Sequence, residues 1–461
     1  MSVAPNSVGD SLYAAHQKVY PREVTGRFNN LRIAAVIALL GLFYVMPWVQ
    51  WDGHQAVLFD LPARKFYIFG LTFFPQDFFF LTWLLIIAAL SLFFFTALAG
   101  RLWCGYACPQ TVWTETFVWI ERWIEGDRSK QMKLDRGPWN WNKMWRKSAK
   151  QMLWVSFALF TGFTFVGYFT AIRTLVAEFT TLSFGGWETF WILFYGFATY
   201  GNAGYMREQV CKYMCPYARF QSAMFDRDTM IISYDPQRGE PRGSRPRGAD
   251  PKAQGLGECI DCTLCVQVCP TGIDIRKGLQ LDCIACAACI DVCDSVMDRM
   301  KYPRGLIRYS TQNAMDGKAT RIARPRTLVY GSLLLVLITA FGIAVSHRRL
   351  VDLDVMRDRN AMYRVLDDGR IENVYTMRVI NKDTRAHTFH FTVQNLEGAV
   401  VDSDQPAYQV GAESVATAAI RVRVPAGLVH GSRDIRIIAI AEDTASIRTP
   451  SKSRFIAPVT P

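Results

Sequence analysis

The chain has 461 residues, half of them hydrophobic, and a formal net charge of +12. Length alone allows about three domains, but the apolar residues are gathered into long runs, which excludes a wholly soluble protein. The basic excess flanks those runs, so it reads as membrane topology and contact with lipid, and no nucleic-acid partner is expected.

In chain order, residues 1–30 form an N-terminal segment carrying Asp10, Arg22, Glu23 and Arg27 before any apolar stretch, so no cleavable signal is expected. Apolar runs follow at 31–49, 78–99, 153–172 and 328–345. Each is about long enough to cross a bilayer, which takes ~20 residues. One such run alone reads equally as a buried core helix; four in one chain argue for membrane spans. A fifth candidate, 187–204, is shorter and richer in polar atoms. The segments 101–150 and 206–327 are heavily basic, whereas 50–77 offers only Arg64 and Lys65, and 173–186 only Arg173. The positive-inside rule puts the basic segments and the N-terminus in the cytoplasm.

The expected plan is a multi-domain membrane protein with about five transmembrane α-helices. Residues 1–30 are a cytoplasmic segment, and 31–205 a four-helix membrane region with a cytoplasmic loop at 101–150. Residues 206–327 are cytoplasmic, 328–346 the fifth membrane helix, and 350–461 a β domain on the far side. Residues 112–125 (VWTETFVWIERWIE) predict a helix with a Trp/Phe/Ile face, lying on the membrane surface or packing in the bundle. Glu115, Glu121 and Glu125 on it are expected in solvent rather than in catalysis.

The first four cysteines form a repeat. Trp103-Cys104-Gly-Tyr-Ala-Cys108-Pro109 follows the second apolar run, and Val210-Cys211-Lys-Tyr-Met-Cys215-Pro216 follows the fifth candidate. Both read Cys-x-x-x-Cys-Pro. Residues i and i+4 share a helix face, so each pair can grip one soft ion. Proline next in line disfavours helix at the second cysteine. Thiolates select Cu(I), zinc or iron–sulfur clusters; buried cysteines also simply pack. Met206 and Met214 are further candidate ligands, although methionine in such settings is usually filler.

The other eight cysteines form two copies of Cys-x-x-Cys-x-x-Cys-x-x-x-Cys: Cys259, Cys262, Cys265, Cys269, and then Cys283, Cys286, Cys289, Cys293. This is the spacing of bacterial two-cluster ferredoxins, in which the fourth cysteine of each run ligates the other cube. The expected sets are Cys259, Cys262, Cys265 and Cys293 for one [4Fe-4S] cluster, and Cys283, Cys286, Cys289 and Cys269 for the other. Paired zinc sites are the rival, but they pair Cys-x-x-Cys with a distant second pair. An inserted ferredoxin-like domain at about 250–300 follows. No c-type haem motif and no convincing dinucleotide fingerprint is present.

Beyond 350 the pattern changes to period two, as in Val374–Ile380, Thr388–Val393, Ala419–Val424 and Ile435–Ile440, separated by turn signals such as Asp367-Asp-Gly. Short strands at that spacing predict an antiparallel, immunoglobulin-like β-sandwich. It contains no cysteine. His387 and His390 fall on opposite strand faces, which argues against a shared metal and for surface and edge histidines.

With these motifs in view, the chain resembles the cytochrome c oxidase accessory proteins of the CcoG/FixG/RdxA family. The likeness is carried by Trp103–Gln110, Cys211–Pro216, Glu258–Asp294 and Tyr302–Tyr309, and by the order of spans, clusters, last span and β domain. The second run ends Cys293-Asp294, where a generic ferredoxin has proline; that position ligates nothing. The resemblance implies a multi-pass protein of the bacterial inner membrane with its β domain in the periplasm. It implies a cupric reductase, Cu(II) to Cu(I), supporting copper-centre assembly of a cbb3-type oxidase. Cys104, Cys108, Cys211 and Cys215 would then bind or pass copper. Implied partners are membrane lipid, copper, an oxidase assembly factor or copper chaperone, an unidentified electron donor and, in one arrangement, a second copy of the chain. The alternatives are a quinol-linked electron-transfer subunit and a non-enzymatic assembly scaffold.

Overall fold

The structure is a computed structural model that describes residues 18–358, 361–444 and 447–459. The chain divides into two compact units: residues up to 58 with 83–338, and 59–82 with 339–461.

Among the described residues, four helices are long and apolar enough to cross a membrane: Arg27–Trp48, Pro75–Ala99, Trp141–Val166 and Pro325–Ser346. The helices up to residue 224 are α1 (Arg27–Val45), α2 (Phe78–Ala99, which begins in the second unit), α3 (Leu102–Tyr106), α4 (Pro109–Glu125), α5 (Arg128–Arg136), α6 (Trp141–Val166), α7 (Ile172–Thr181), α8 (Gly186–Thr199) and α9 (Pro216–Met224).

The run expected at 153–172 starts and ends earlier than its hydropathy suggests. Asn140 caps α6 by accepting the Lys143 amide at 2.8 Å, which lets a basic first half join the helix. Glu125 then neutralises that half, meeting Lys150 at 2.9 Å and Lys147 at 3.0 Å. At the other end, Gly167 closes the helix, and buried Gln55 donates to the Gly167 carbonyl and accepts the Ile172 amide.

The fifth candidate forms only 14 α-helical residues, α8, and continues as a π-helical turn, Tyr200–Met206. By length its α-helical part falls short of the ~20-residue span. It lies closely against α6: a Cβ on Gly162 would stand 2.3 Å from the Ile192 carbonyl oxygen. Glycine permits such backbone approach between apolar helices.

Helix α4 packs in the bundle. Its Phe117 is fully buried with Trp154 and Ala158 of α6. The expectation that Glu121 and Glu125 face solvent is corrected, because they are 2% and 1% exposed. Each is held by cations brought from elsewhere: Glu121 by Arg207 at 2.7 Å and Lys18 at 3.1 Å, Glu125 by Lys147 and Lys150. A buried carboxylate without such partners would be prohibitive. Glu115 is also mostly covered, 3.7 Å from Arg32.

The segment after α9 closes on itself. Strand Ile231–Tyr234 pairs antiparallel with Ile307–Ser310. The helix Ala288–Met300 packs its apolar face, including Ile290 and Met297, against Ile232 and Ile307. Asp291 on that helix reaches the start of α1, accepting the Phe28 and Asn29 amides at 3.2 and 2.7 Å. It thereby satisfies two of the donors that every helix N-terminus leaves open.

In the second unit, the period-two segments form two antiparallel sheets. One has the order Val400–Ser403, Val415–Val424, Ile371–Asn381, Val351–Arg357; the other Tyr408–Val410, His387–Gln394, Ser432–Ala441, Arg448–Ile456. Tyr375, Phe389, Ile420, Ile437 and Phe455 fill the core between them. The expectation of a surface His387 is corrected: it is 4% exposed and lies between Asp443 and Asp383, at 2.6 and 3.1 Å. Two carboxylates replace the water that a surface imidazole would have. His390 remains partly exposed near Glu442.

Candidate metal centres

The two ferredoxin runs follow the same backbone path. Asp261 and Thr263 flank Cys262 with φ of 52° and 56°; Ala285 and Ala287 flank Cys286 with 56° and 60°. Four non-glycine residues thus sit in the left-handed region, which costs ~1–2 kcal/mol each. Left-handed residues interleaved in such a loop favour a concavity of backbone amides, the nest that suits anions and iron–sulfur sites.

The structure brings the cysteines together in the crossed sets that the spacing predicts. One cavity is lined by Cys259, Cys262, Cys265 and Cys293, another by Cys269, Cys283, Cys286 and Cys289, with Cys265 on the wall between them. Burial pushes the thiols of Cys265, Cys293 and Cys283 up to about 12. Neighbouring sulfurs add to the effect, so only a bound cationic group would hold them all as thiolates. Among the described residues no three His, Cys, Asp or Glu converge on one point as a single metal ion requires. A zinc ion needs sulfurs about 2.3 Å from one centre. A cube carries its ligands at separate corners, and four cysteines spread around each cavity fit a [4Fe-4S] cluster.

The Cys-x-x-x-Cys-Pro repeats do not lie on plain helix faces as i, i+4 pairs. Cys104 is in the short α3, and Cys211 in a π-helical turn, Val210–Met214. Cys108 and Cys215 are extended, with ψ of 128° and 110°, each capping a helix whose first residue is Pro109 or Pro216. Proline at the first helical position forces the preceding residue out of helix. Wide π turns concentrate at functional positions.

The two repeats nevertheless meet. Cys104 lies within electrostatic reach of Cys108 and Cys211, and Cys108 of Cys215. Burial pushes Cys104 up to about 12 and Cys211 to about 11; it also raises Cys108, against the opposing pull of the Thr111 and Gln110 amides at the start of α4. The quartet therefore gathers four thiols, although among the described residues no three ligands converge on one ion. Met214 is exposed.

Three residues that sequence reasoning passed over complete this region. Gln221, fully buried, accepts from the Cys104 thiol at 3.5 Å. Arg101, 5% exposed, donates to the Ala218 carbonyl and lies near Cys104, Cys211 and Cys283. Gly105 has its Cα so close to the second cluster loop that a Cβ would stand 2.8 Å from the carbonyl oxygens of Ile284 and Ala285. Only Gly105 adjoins a motif cysteine in sequence; Arg101 lies three residues before Cys104 and Gln221 six after Cys215.

The quartet and the second cluster set are neighbours. Cys104 and Cys211 pack against Ile284, Cys286 and Ala288, and a cavity between the ferredoxin loop and α4 is lined by both Cys211 and Cys286.

Comparison with known proteins agrees with this chemistry. Residues 206–312 match the 4Fe-4S dicluster domain, residues 81–130 the 4Fe-4S binding domain, and residues 341–458 the IG-like fold at the C-terminus of FixG. The chain is 40% identical to Protein RdxB of Cereibacter sphaeroides over 439 residues, 92% of each chain. It is 36% identical to Nitrogen fixation protein FixG of Rhizobium meliloti, covering 85% of this chain and 82% of that one. Protein RdxA of Cereibacter sphaeroides is 40% identical over 85% of each. A crystal structure of a FixG-related protein from Vibrio parahaemolyticus covers 24% of this chain at 24% identity, with a TM-score of 0.22. A membrane protein with iron–sulfur domains and a FixG-type β domain, the chain belongs to the FixG/RdxA family.

Proposed function

We propose that this iron–sulfur protein is a cupric reductase, passing electrons from its ferredoxin domain to Cu(II) at Cys104, Cys108, Cys211 and Cys215. The observation that supports it most directly is the shared wall on which Cys211 and Cys286 both lie. When bound, the clusters supply single electrons at low potential. The thiols then favour the reduced ion, since soft sulfur prefers Cu(I). Because burial keeps Cys104 and Cys211 protonated, each thiol that ligates copper releases a proton, and uptake strengthens as pH rises. Cu(I) formed here would serve the copper centre of a cbb3-type oxidase, through an assembly factor or chaperone. In this reading the ferredoxin domain is on the cytoplasmic side of a bacterial inner membrane and the β domain in the periplasm.

The test is copper reduction by the purified full chain after its clusters have been reduced. A Cys104→Ala, Cys211→Ala double variant should lose the activity while keeping its iron. Undiminished reduction in that variant removes the quartet from the mechanism.

A second reading has its own support: the 4Fe-4S binding domain match at 81–130 spans Cys104 and Cys108. The quartet would then hold a further cluster in a quinol-linked electron-transfer chain. Iron counting separates the two, at about eight irons per chain for two cubes and more for three.

A further inference from the structure

We infer that Gln221 is a positioning residue for copper at Cys104: its side-chain amide holds the thiol while the proton is on sulfur, and the sulfur anion once copper has replaced that proton. The inference rests on the reductase reading above. Gln221 lies on α9 and is completely buried. Its Oε1 accepts from the Cys104 thiol at 3.5 Å. Its Nε2 is also buried and has no hydrogen-bond partner among the described residues. The hydroxyl of neighbouring Tyr217 is engaged with Thr96 at 2.7 Å instead.

Arg101 repeats the pattern. It is buried near Cys104 and Cys211, and its Nη2 donates to the Ala218 carbonyl, but its Nε has no partner among the described residues. Buried donors are normally paired. Two unpaired N–H donors in the surroundings of one cysteine call for an acceptor that a neutral thiol, itself a weak one, does not provide. A sulfur anion does provide it, because ionised acceptors bind N–H donors most strongly. Cys108 already has such donors in the amides of Gln110 and Thr111 at the start of α4.

Copper creates that anion. The S–H bond of Cys104 breaks, its proton leaves to water, and a Cu–S bond forms. The Gln221 amide then rotates by about half a turn, which puts Nε2 where Oε1 was, since the two ends of the amide are nearly equal in shape. Helix α9 need not move. Donation to the sulfur draws electron density from it, and hydrogen bonds at a thiolate tune the potential of the copper it holds. The weaker sulfur donation loosens Cu(II) more than Cu(I), so the reduced ion is favoured.

The test loads the full chain, in lipid nanodiscs with oxidised clusters, with Cu(I) under argon and reads its affinity by competition with bathocuproine disulfonate. Gln221→Met keeps the length of the side chain but removes both amide ends. It should bind Cu(I) about tenfold more weakly, the usual cost of losing a partner of a metal ligand, with iron content and cluster spectra unchanged. Gln221→Glu, measured at pH 8, still accepts from the thiol but cannot donate, and should be weakened at least as much. The infrared S–H stretch that disappears in Cys104→Ala should move to higher frequency in Gln221→Met. Wild-type affinity in either Gln221 variant, or an unmoved S–H band in Gln221→Met, overturns the inference and leaves the reductase reading standing. A wild-type chain that binds no Cu(I), or binds it as tightly after Cys104→Ala, overturns the copper site and the inference with it.

Discussion

Gly105 leaves no room for a side chain beside Ala285: a Cβ there would stand 2.8 Å from the Ala285 carbonyl oxygen. The glycine inside one thiol motif thus sets how closely the second cluster loop approaches the quartet. Gly105→Ala must push that loop away, and overpacking of this kind costs ~1–3 kcal/mol. We expect a lower thermal midpoint and slower electron transfer to copper. A variant with wild-type midpoint and transfer rate would show that the contact is slack.

Cys293 lines the cavity of Cys259, Cys262 and Cys265, and Cys269 that of Cys283, Cys286 and Cys289, which supports a crossed ligand set as the expectation to be tested. Cys269→Ser should therefore disturb the cluster held by Cys283, Cys286 and Cys289, and Cys293→Ser the one held by Cys259, Cys262 and Cys265. Electron paramagnetic resonance of the reduced variants should lose a different signal in each, with iron falling from about eight toward about four per chain. Loss of the same signal in both would break the assignment.

Glu121 is buried, which by itself would raise its pKa, yet Arg207, Lys18 and Lys150 outweigh that and hold it at about 2. Its folded value lies below its unfolded one, so the stability it adds is present above about pH 4.5 and fades as pH falls toward about 2. Arg207→Met removes the nearest cation and strands the carboxylate, at a cost of about 3–5 kcal/mol. Thermal unfolding in detergent should show it. The double variant with Glu121→Leu should recover most of the loss, and failure to recover would mean the pair is not what holds α4 to the π turn.

His387 behaves oppositely. Burial would lower its pKa, but hydrogen bonds to Asp383 and Asp443 overcome this and raise it. Its contribution is complete below the unfolded value, about 6.5, and disappears as pH climbs through the higher folded value. Hydrogen exchange of strand His387–Gln394, corrected for intrinsic chemistry, should report loosening of the strand over that alkaline window. His387→Gln should flatten the trend; an unchanged slope would exclude this histidine as its source.

Much of the site was legible because ligand spacing is a local property. The eight ferredoxin cysteines announce their chemistry within 35 residues of one another, and the period-two pattern of Val374–Ile380 reappears as alternating burial from Val374 to Val379. What sequence hides is a partner far along the chain. Glu121 reads as a solvent residue until Arg207, 86 positions away, is seen against it. The approach of Cys211 to Cys104 likewise depends on a π turn that no periodicity signals. Proline after each second cysteine did foretell the extended caps, because its steric rule acts on the adjacent residue alone. The length of α6 was misjudged for the converse reason: hydropathy sees lysines, and not the carboxylates that neutralise them.

The four left-handed residues around Cys262 and Cys286 carry one more consequence. Ordinary side chains hold that twist at a cost of ~1–2 kcal/mol each, which cluster ligation would help to offset. Oxidative loss of the inorganic core would remove that compensation from both cysteine loops at once. Damage by air would then be felt as shape as well as chemistry.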